Sequence, residues 1–311
     1  PDWLKPTTSL LGDEIVRSIN NSVAVSSTSL FAISLLTDPT QALNKETLKA
    51  RISFYLTLLS ESDSYKDVWV TEKDPGEIIN RSERLKFIKH QLIGSDEVYR
   101  PSPKEVATLS FYKNNISHLF MLYSLICESV RYIEKISKEN LHALILMVYP
   151  IISREYFLQS SQIEGKEIEN ALKTLIEQGV LHSKSPETYS KPDNNGDHLN
   201  KYLSLCNICE PSLKRFYITM SVLWKKKNIS KDKLQADCDL IANELERLEG
   251  WPYPEFSDKT KFQNFLDLLI TERYVKEDQE IYSASKITLK AQESYKAFFD
   301  RKFLELVQGI N

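Results

Sequence analysis

The sequence predicts a mainly α-helical chain made of tandem units, and two observations carry that prediction. A short motif recurs three times at one spacing, and similar helical patterns flank each copy. The copies are Leu43-Asn44-Lys45-Glu46-Thr47-Leu48, Ile136-Ser137-Lys138-Glu139-Asn140-Leu141 and Ile229-Ser230-Lys231-Asp232-Lys233-Leu234. From Asn44 to Ser137 and from Ser137 to Ser230 is 93 residues each. Every copy sets an apolar residue before Asn or Ser, followed by Lys and an acid. Asn and Ser side chains accept hydrogen bonds from first-turn amides, and an acid there meets the positive end of the helix dipole. Each copy therefore reads as a helix start.

An apolar helix precedes each start, over 23–36, 116–133 and 213–224, with apolar residues spaced for burial. Another amphipathic helix follows, clearest over 168–176 and 262–270. In the first unit that helix is expected over 81–92, after a long polar loop over 60–76. A hairpin comes next. In the second unit Val180-Leu181 leads to a tip at Asn195-Gly196, and in the third Tyr274-Val275 passes through Glu277-Asp278-Gln279 to Ile281-Tyr282. Three helices and then a hairpin is the order of a winged helix, so three winged-helix-like repeats with short β-hairpins are expected. The expected bounds are a leading segment 1–21, units 22–112, 113–210 and 211–299, and a tail 300–311.

At 311 residues the chain exceeds what one core usually holds, and 41% hydrophobic with 27% charged residues is the balance of a folded protein. Forty Lys and Arg against 43 Asp and Glu leave a net charge of -3, so no global field attracts nucleic acid and no such partner is expected. The one basic third helix, with Arg81, Arg84, Lys86 and Lys89, reads as a solvated face. The most apolar run, 143–152, is interrupted by Pro150 and falls short of the roughly 18 to 20 residues a spanning helix needs. Four cysteines in this length suit a reducing compartment, so a soluble, cytosol-facing segment is expected. The chain opens on Pro1 without a leader pattern and reads as a piece of something larger.

The search for chemistry is mostly a set of exclusions. All eight glycines are isolated, whereas phosphate-cradling loops need them clustered, and the Gly-x-Ser-x-Gly elbow is missing. Cys206-Asn207-Ile208-Cys209 has half a zinc site's spacing but no second pair, so two packed helical thiols are expected, with no metal and no cofactor. A carboxylate that orients an imidazole can make it a general base. Five residues after His90, His118, His142, His182 and His198 stand Ser95, Tyr123, Met147, Glu187 and Leu203. Only His182 with Glu187 approaches the pattern, in a Ser- and Pro-rich loop. No catalytic residue is expected. The helix from Leu213 carries Phe216, Tyr217 and Trp224 beside Lys214, Arg215 and Lys225-Lys226-Lys227. Such a helix either packs as core or lies on an anionic membrane surface.

Several segments, taken in order, resemble the C-terminal region of the bacterial membrane-associated glycerol-3-phosphate 1-O-acyltransferases. They are Pro1-Asp2-Trp3-Leu4, Ile19-Asn20-Asn21 with Val23-Ala24-Val25, and Phe111-Tyr112-Lys113-Asn114-Asn115-Ile116 with His118. Leu213-Lys214-Arg215-Phe216-Tyr217-Ile218-Thr219 and Pro254-Glu255-Phe256-Ser257-Asp258-Lys259 follow, the likeness ending near Val275. The resemblance implies a parent enzyme at the cytoplasmic face of the bacterial inner membrane. It would move an acyl group from acyl-CoA or acyl carrier protein to the sn-1 hydroxyl of glycerol 3-phosphate, in phospholipid synthesis. The family's His-x-x-x-x-Asp box matches no position here, so the resemblance implies a catalytically silent segment. Its partner would be the upstream acyltransferase domain, and a membrane surface is a second possible contact. Phe111, Tyr112, Lys113, Asn114, Asn115 and His118, expected to open the second unit's first helix, are the candidate interface with that domain. The competing reading is an independent winged-helix module that binds protein or nucleic acid.

Overall fold

Each copy of the recurring motif folds into the same step, a two-residue strand that runs directly into a helix. The strands are β1 (Leu43–Asn44), β4 (Ile136–Ser137) and β7 (Ile229–Ser230), and the helices are α3 (Lys45–Glu61), α7 (Lys138–Glu155) and α10 (Lys231–Glu249). Asn44 Oδ1 accepts from Thr47 N at 2.8 Å, and Ser137 Oγ accepts from Asn140 N at 3.3 Å. These caps satisfy amides that have no partner inside the helix.

The computed structural model describes residues 4–62, 64–65, 68–185, 187–193, 196–249 and 259–310. It is mainly helical, with small three-stranded antiparallel sheets. A helix lies before each strand: α2 (Ser27–Leu36), α6 (Met121–Val130) and the second half of α9 (Asp197–Lys226). After α3, α7 and α10 come α4 (Pro75–Arg84), α8 (Gly165–Glu177) and α11 (Lys259–Thr271). Hairpins close the series: β2 (His90–Ile93) with β3 (Asp96–Tyr99), β5 (His182–Ser185) with β6 (Thr188–Ser190), and β8 (Val275–Asp278) with β9 (Ile281–Ala284). The sheet orders β1-β3-β2, β4-β6-β5 and β7-β9-β8 are the same. So is the register, because Leu43 faces Tyr99, Ile136 faces Tyr189 and Ile229 faces Tyr282. All six side chains are buried. The remaining helices are α1 (Leu4–Asn21), α5 (Pro103–Ser117), α12 (Lys286–Tyr295) and α13 (Arg301–Ile310).

Contacts divide the chain into two units, the first of Pro1–Ser124, Tyr156–His182 and Lys191–Ile208, the second of Leu125–Glu155, Ser183–Ser190 and Cys209–Asn311. In the first unit every residue of α2 is buried, and α2 packs on α3, α4 and α5. Its apolar residues and four small hydroxyl residues, Ser27, Thr28, Ser29 and Ser34, are enclosed together. In the second unit α10 packs on α11 and α13, and α11 on α7. Rings of Phe216, Tyr217, Trp224, Tyr274, Tyr295, Phe299 and Phe303 meet with centroids 4.8–6.1 Å apart, a spacing at which aromatic pairs attract beyond simple burial.

Several expectations need correction. The helix expected over 81–92 is α4, which ends at Arg84, and a hairpin follows it. Lys86 takes a positive φ of 59°, and Gly94, at φ 64°, opens the two-residue turn between Ile93 and Asp96, a conformation that suits glycine. The polar loop is shorter than 60–76, since α3 runs to Glu61 and α4 begins at Pro75. The second hairpin does not extend to Asn195-Gly196, since β5 ends at Ser185 and β6 runs from Thr188 to Ser190, and Pro192 cannot add to the ladder beyond it; Asn195 lies outside the described residues. The apolar stretch 116–133 is the end of α5, a 3-10 turn at His118–Phe120, and α6. Residues 23–26 precede α2 rather than joining it, and Val25 bridges Val70.

Two outcomes follow from this geometry. Ile136→Ala empties one side of a buried cross-strand pair and is expected to cost about 2 to 5 kcal/mol, read as a lower urea midpoint. Gln279 and Glu280 form the third turn at φ 48° and 64°, where side chains are strained. Replacing them with Asn-Gly is expected to raise stability by about 1 kcal/mol in the same titration.

Candidate functional site

Two segments that carry the resemblance meet in the first unit, although 98 residues separate them. His118 is buried, and its Nε2 lies 3.2 Å from the backbone oxygen of Asn20. A carbonyl only accepts, so Nε2 carries the proton. The Asn20 side chain reaches the other way, donating to the oxygens of Tyr156 at 2.9 Å and Phe157 at 3.3 Å. The Tyr65 ring stands edge-on to the imidazole with centroids 6.1 Å apart. Asn20 and His118 thus tie the end of α1 to the 156–157 corner and to the α5–α6 junction.

Burial pushes the His118 pKa from 6.5 down to about 4, against a smaller upward pull from the Asn20 carbonyl. The imidazole is neutral at physiological pH. The same desolvation raises the Tyr65 hydroxyl to about 12, with Glu167 adding to the effect. A base that is buried, neutral and hydrogen-bonded to backbone is suited to holding position.

Phe111, Tyr112, Lys113, Asn114 and Asn115 lie in the last turns of α5. They do not open a helix, because Pro103 and a Ser102–Glu105 capping box start α5 well before them. Phe111 is 65% exposed, Asn114 and Asn115 are exposed, and Tyr112 and Lys113 are half-buried. The Tyr112 ring is held by Phe87 at 5.0 Å and by Phe111 at 5.6 Å. The stretch therefore presents a partly open face next to the buried His118.

The helix from Leu213 belongs to the second unit, and its apolar side is inside. Phe216 and Tyr217 are buried in the aromatic cluster, and Trp224 is half-buried against Tyr295. Its first two cations also turn inward, Lys214 Nζ to Glu210 Oε1 at 2.7 Å and Arg215 to Glu155. Lys225, Lys226 and Lys227 are exposed at its end. Beside Lys214, Arg131 Nη1 bridges Glu128 at 3.1 Å and Glu210 at 3.2 Å. Burial pushes Glu128 up to about 7 despite Arg131. Burial acts on Glu210 too, but Lys214 and Arg131 together hold it below the usual carboxylate range.

One pair escaped the sequence scan. His90 Nδ1 lies 2.6 Å from Glu83 Oε1, and the Tyr99 hydroxyl donates to the same oxygen at 3.2 Å. The scan looked five residues ahead, whereas the carboxylate lies seven residues behind, on α4. The signal that could have found it is the hairpin register, which sets His90 opposite Tyr99. Cys127, Cys206, Cys209 and Cys238 are buried free thiols. Among the described residues no cluster of His, Cys, Asp or Glu could hold a metal ion, and no helix is long and apolar enough to cross a membrane. Pro1-Asp2-Trp3 and 254–258 lie outside the described residues.

A mainly helical chain with repeated small antiparallel sheets is thus the class of protein defined. Its sequence matches the family model for the glycerol-3-phosphate acyltransferase C-terminal region over residues 1–278, and the chain belongs to that family. It is 27% identical over 282 residues to a glycerol-3-phosphate acyltransferase of Pseudomonas paraeruginosa (strain DSM 24068 / PA7), covering 90% of this chain and 34% of the relative. It is 30% identical over 274 residues to the enzyme of that name from Shewanella frigidimarina (strain NCIMB 400), covering 88% and 33%. The chain therefore spans about a third of the length of the curated relatives it matches.

The depressed His118 value fixes a sign. Between pH 6.5 and about 4 the unfolded chain binds a proton that the folded chain refuses, so stability conferred by the neutral imidazole is lost as pH falls through that window. Going from pH 7 to pH 5, the native chain is expected to lose about 2 kcal/mol more unfolding free energy than a His118→Gln variant. Equal losses in urea titrations at the two pH values would show that His118 is not the group responsible.

Proposed function

We propose that this chain serves as the C-terminal scaffold of an acyltransferase polypeptide, supporting and positioning an upstream domain that performs the chemistry. The reaction is acyl transfer from acyl-CoA or acyl carrier protein to the sn-1 hydroxyl of glycerol 3-phosphate, at the cytoplasmic face of a bacterial inner membrane. The observation that carries this reading is the family match combined with its coverage: the chain corresponds to one third of proteins named for that activity. The His118 site agrees with it. Its imidazole is buried, neutral and occupied with the Asn20 carbonyl, whereas a general base needs access to the hydroxyl it deprotonates.

In this reading each repeat is a winged helix. The recurrent order of elements, with the first strand beside the last, supports that assignment. The Phe111–Asn115 face forms part of the contact with the upstream domain, and the buried His118 supports that face from inside without touching the partner. A scaffold of this kind accelerates the reaction only through positioning, and small displacements of reacting groups are costly.

Acyl transfer to glycerol 3-phosphate, followed with labelled acyl-CoA in lipid vesicles, tests the proposal. The complete polypeptide is expected to be active. Removing this chain is expected to lower the rate by about 100-fold, the effect of an ångström of misplacement, and the chain alone is expected to give no product. Product formed by the chain alone would falsify the scaffold role.

A further inference from the structure

Helix α1 is amphipathic in the wrong sense for a helix lying on its own protein. At about 100° per residue, Leu4, Leu11, Ile15 and Ile19 fall on one face, and Asp13, Val16, Arg17 and Asn20 fall on the opposite one. The apolar row points to solvent, with exposures of 50%, 60%, 52% and 62%. The opposite face, three polar residues and Val16, is the half-buried one: Asp13, Val16, Arg17 and Asn20 are all partly covered, and Arg17 Nε is shut off from solvent; Leu10, 67% exposed, lies apart from the row beside Arg17. Asn20 fixes this orientation through its bonds to Tyr156 and Phe157. The helix is thus held with its apolar row outward.

We propose that this row, Leu4, Leu11, Ile15 and Ile19, is the seam against which the upstream acyltransferase domain of the same polypeptide packs. The proposal rests on the scaffold reading above and names its surface. Two observations select this occupant. The family region includes α1, and about two thirds of each relative's length lies outside the matched part, so a large body of polypeptide accompanies such a region. Charge argues against a lipid surface, because α1 carries Lys5 and Arg17 against Asp13 and Glu14 and has no net charge. Helices that lie on anionic membranes are rich in Lys and Arg on their polar face. A row of branched aliphatics without charge is what a second protein surface buries.

Thiol labelling of the complete polypeptide tests the seam. Ile15→Cys places a thiol within the row, and Glu14→Cys places one beside it as the open control. The chain's own four cysteines are buried, and peptide mapping reads each site separately. Ile15→Cys is expected to react with a maleimide about tenfold more slowly than Glu14→Cys, as accessibility governs thiol reaction. Adding Leu11→Glu is expected to bring the two rates together. Equal rates without that change overturn the proposal, as does protection that appears only with phosphatidylglycerol vesicles or that fades on dilution, which would indicate lipid or a second copy. If the row reacts freely while removal of the chain still abolishes activity, the seam fails and the scaffold role stands.

Discussion

A single cross-strand contact, made three times, underlies each repeat. An aliphatic residue on a two-residue strand faces a tyrosine on the second strand of a hairpin, the middle strand of the sheet: Leu43 with Tyr99, Ile136 with Tyr189, Ile229 with Tyr282. A strand that short has little ladder of its own, so the buried pair holds the sheet together. The contact also fixes where the next helix starts, because Asn44 and Ser137 follow the aliphatic residue directly and cap the helix. Between strand and hairpin the chain can vary, as the segment between α3 and α4 does, provided its ends return to the same register.

Buried polar groups are handled in two ways, and each matches the charge involved. Burial makes His118 shed its proton, and it keeps a bond to the Asn20 backbone. Glu128, Arg131, Glu210 and Lys214 are gathered into a balanced network, in which each retained charge has a partner within about 3 Å. Arg51 and Asp38 do the same in the first unit. An unpaired buried charge is far more destabilising than either arrangement. These choices describe a framework in which titratable groups are occupied in holding elements together.

The outward row of α1 and Phe111 are among the exposed apolar places of the first unit, as are Trp69, Leu92 and Ile93. The row's leucine and isoleucine side chains are half or more exposed, whereas the Asn20 side chain keeps α1 in place. A chain that is one third of its relatives' length has reason to carry such faces.

What could be read in the sequence was local. The caps at Asn44 and Ser137, the periodicity of α8 and α11, the helix through Cys206 and Cys209, and the third hairpin all depend on residues a few positions apart. Their physical signals are hydrogen bonds and hydrophobic spacing within one turn or one strand pair. The first hairpin is not read from the sequence, because a helix is expected over 81–92, where β2 in fact begins at His90. Other features existed only once the chain was folded. The contact of His118 with Asn20, the sharing of Glu83 by His90 and Tyr99, the inward turn of Lys214 and Arg215, and the exposure of the α1 row join residues far apart in sequence. Each depends on which side of an element faces the interior. That choice is settled by packing of the whole unit, because an element's own pattern names a face without saying what will cover it.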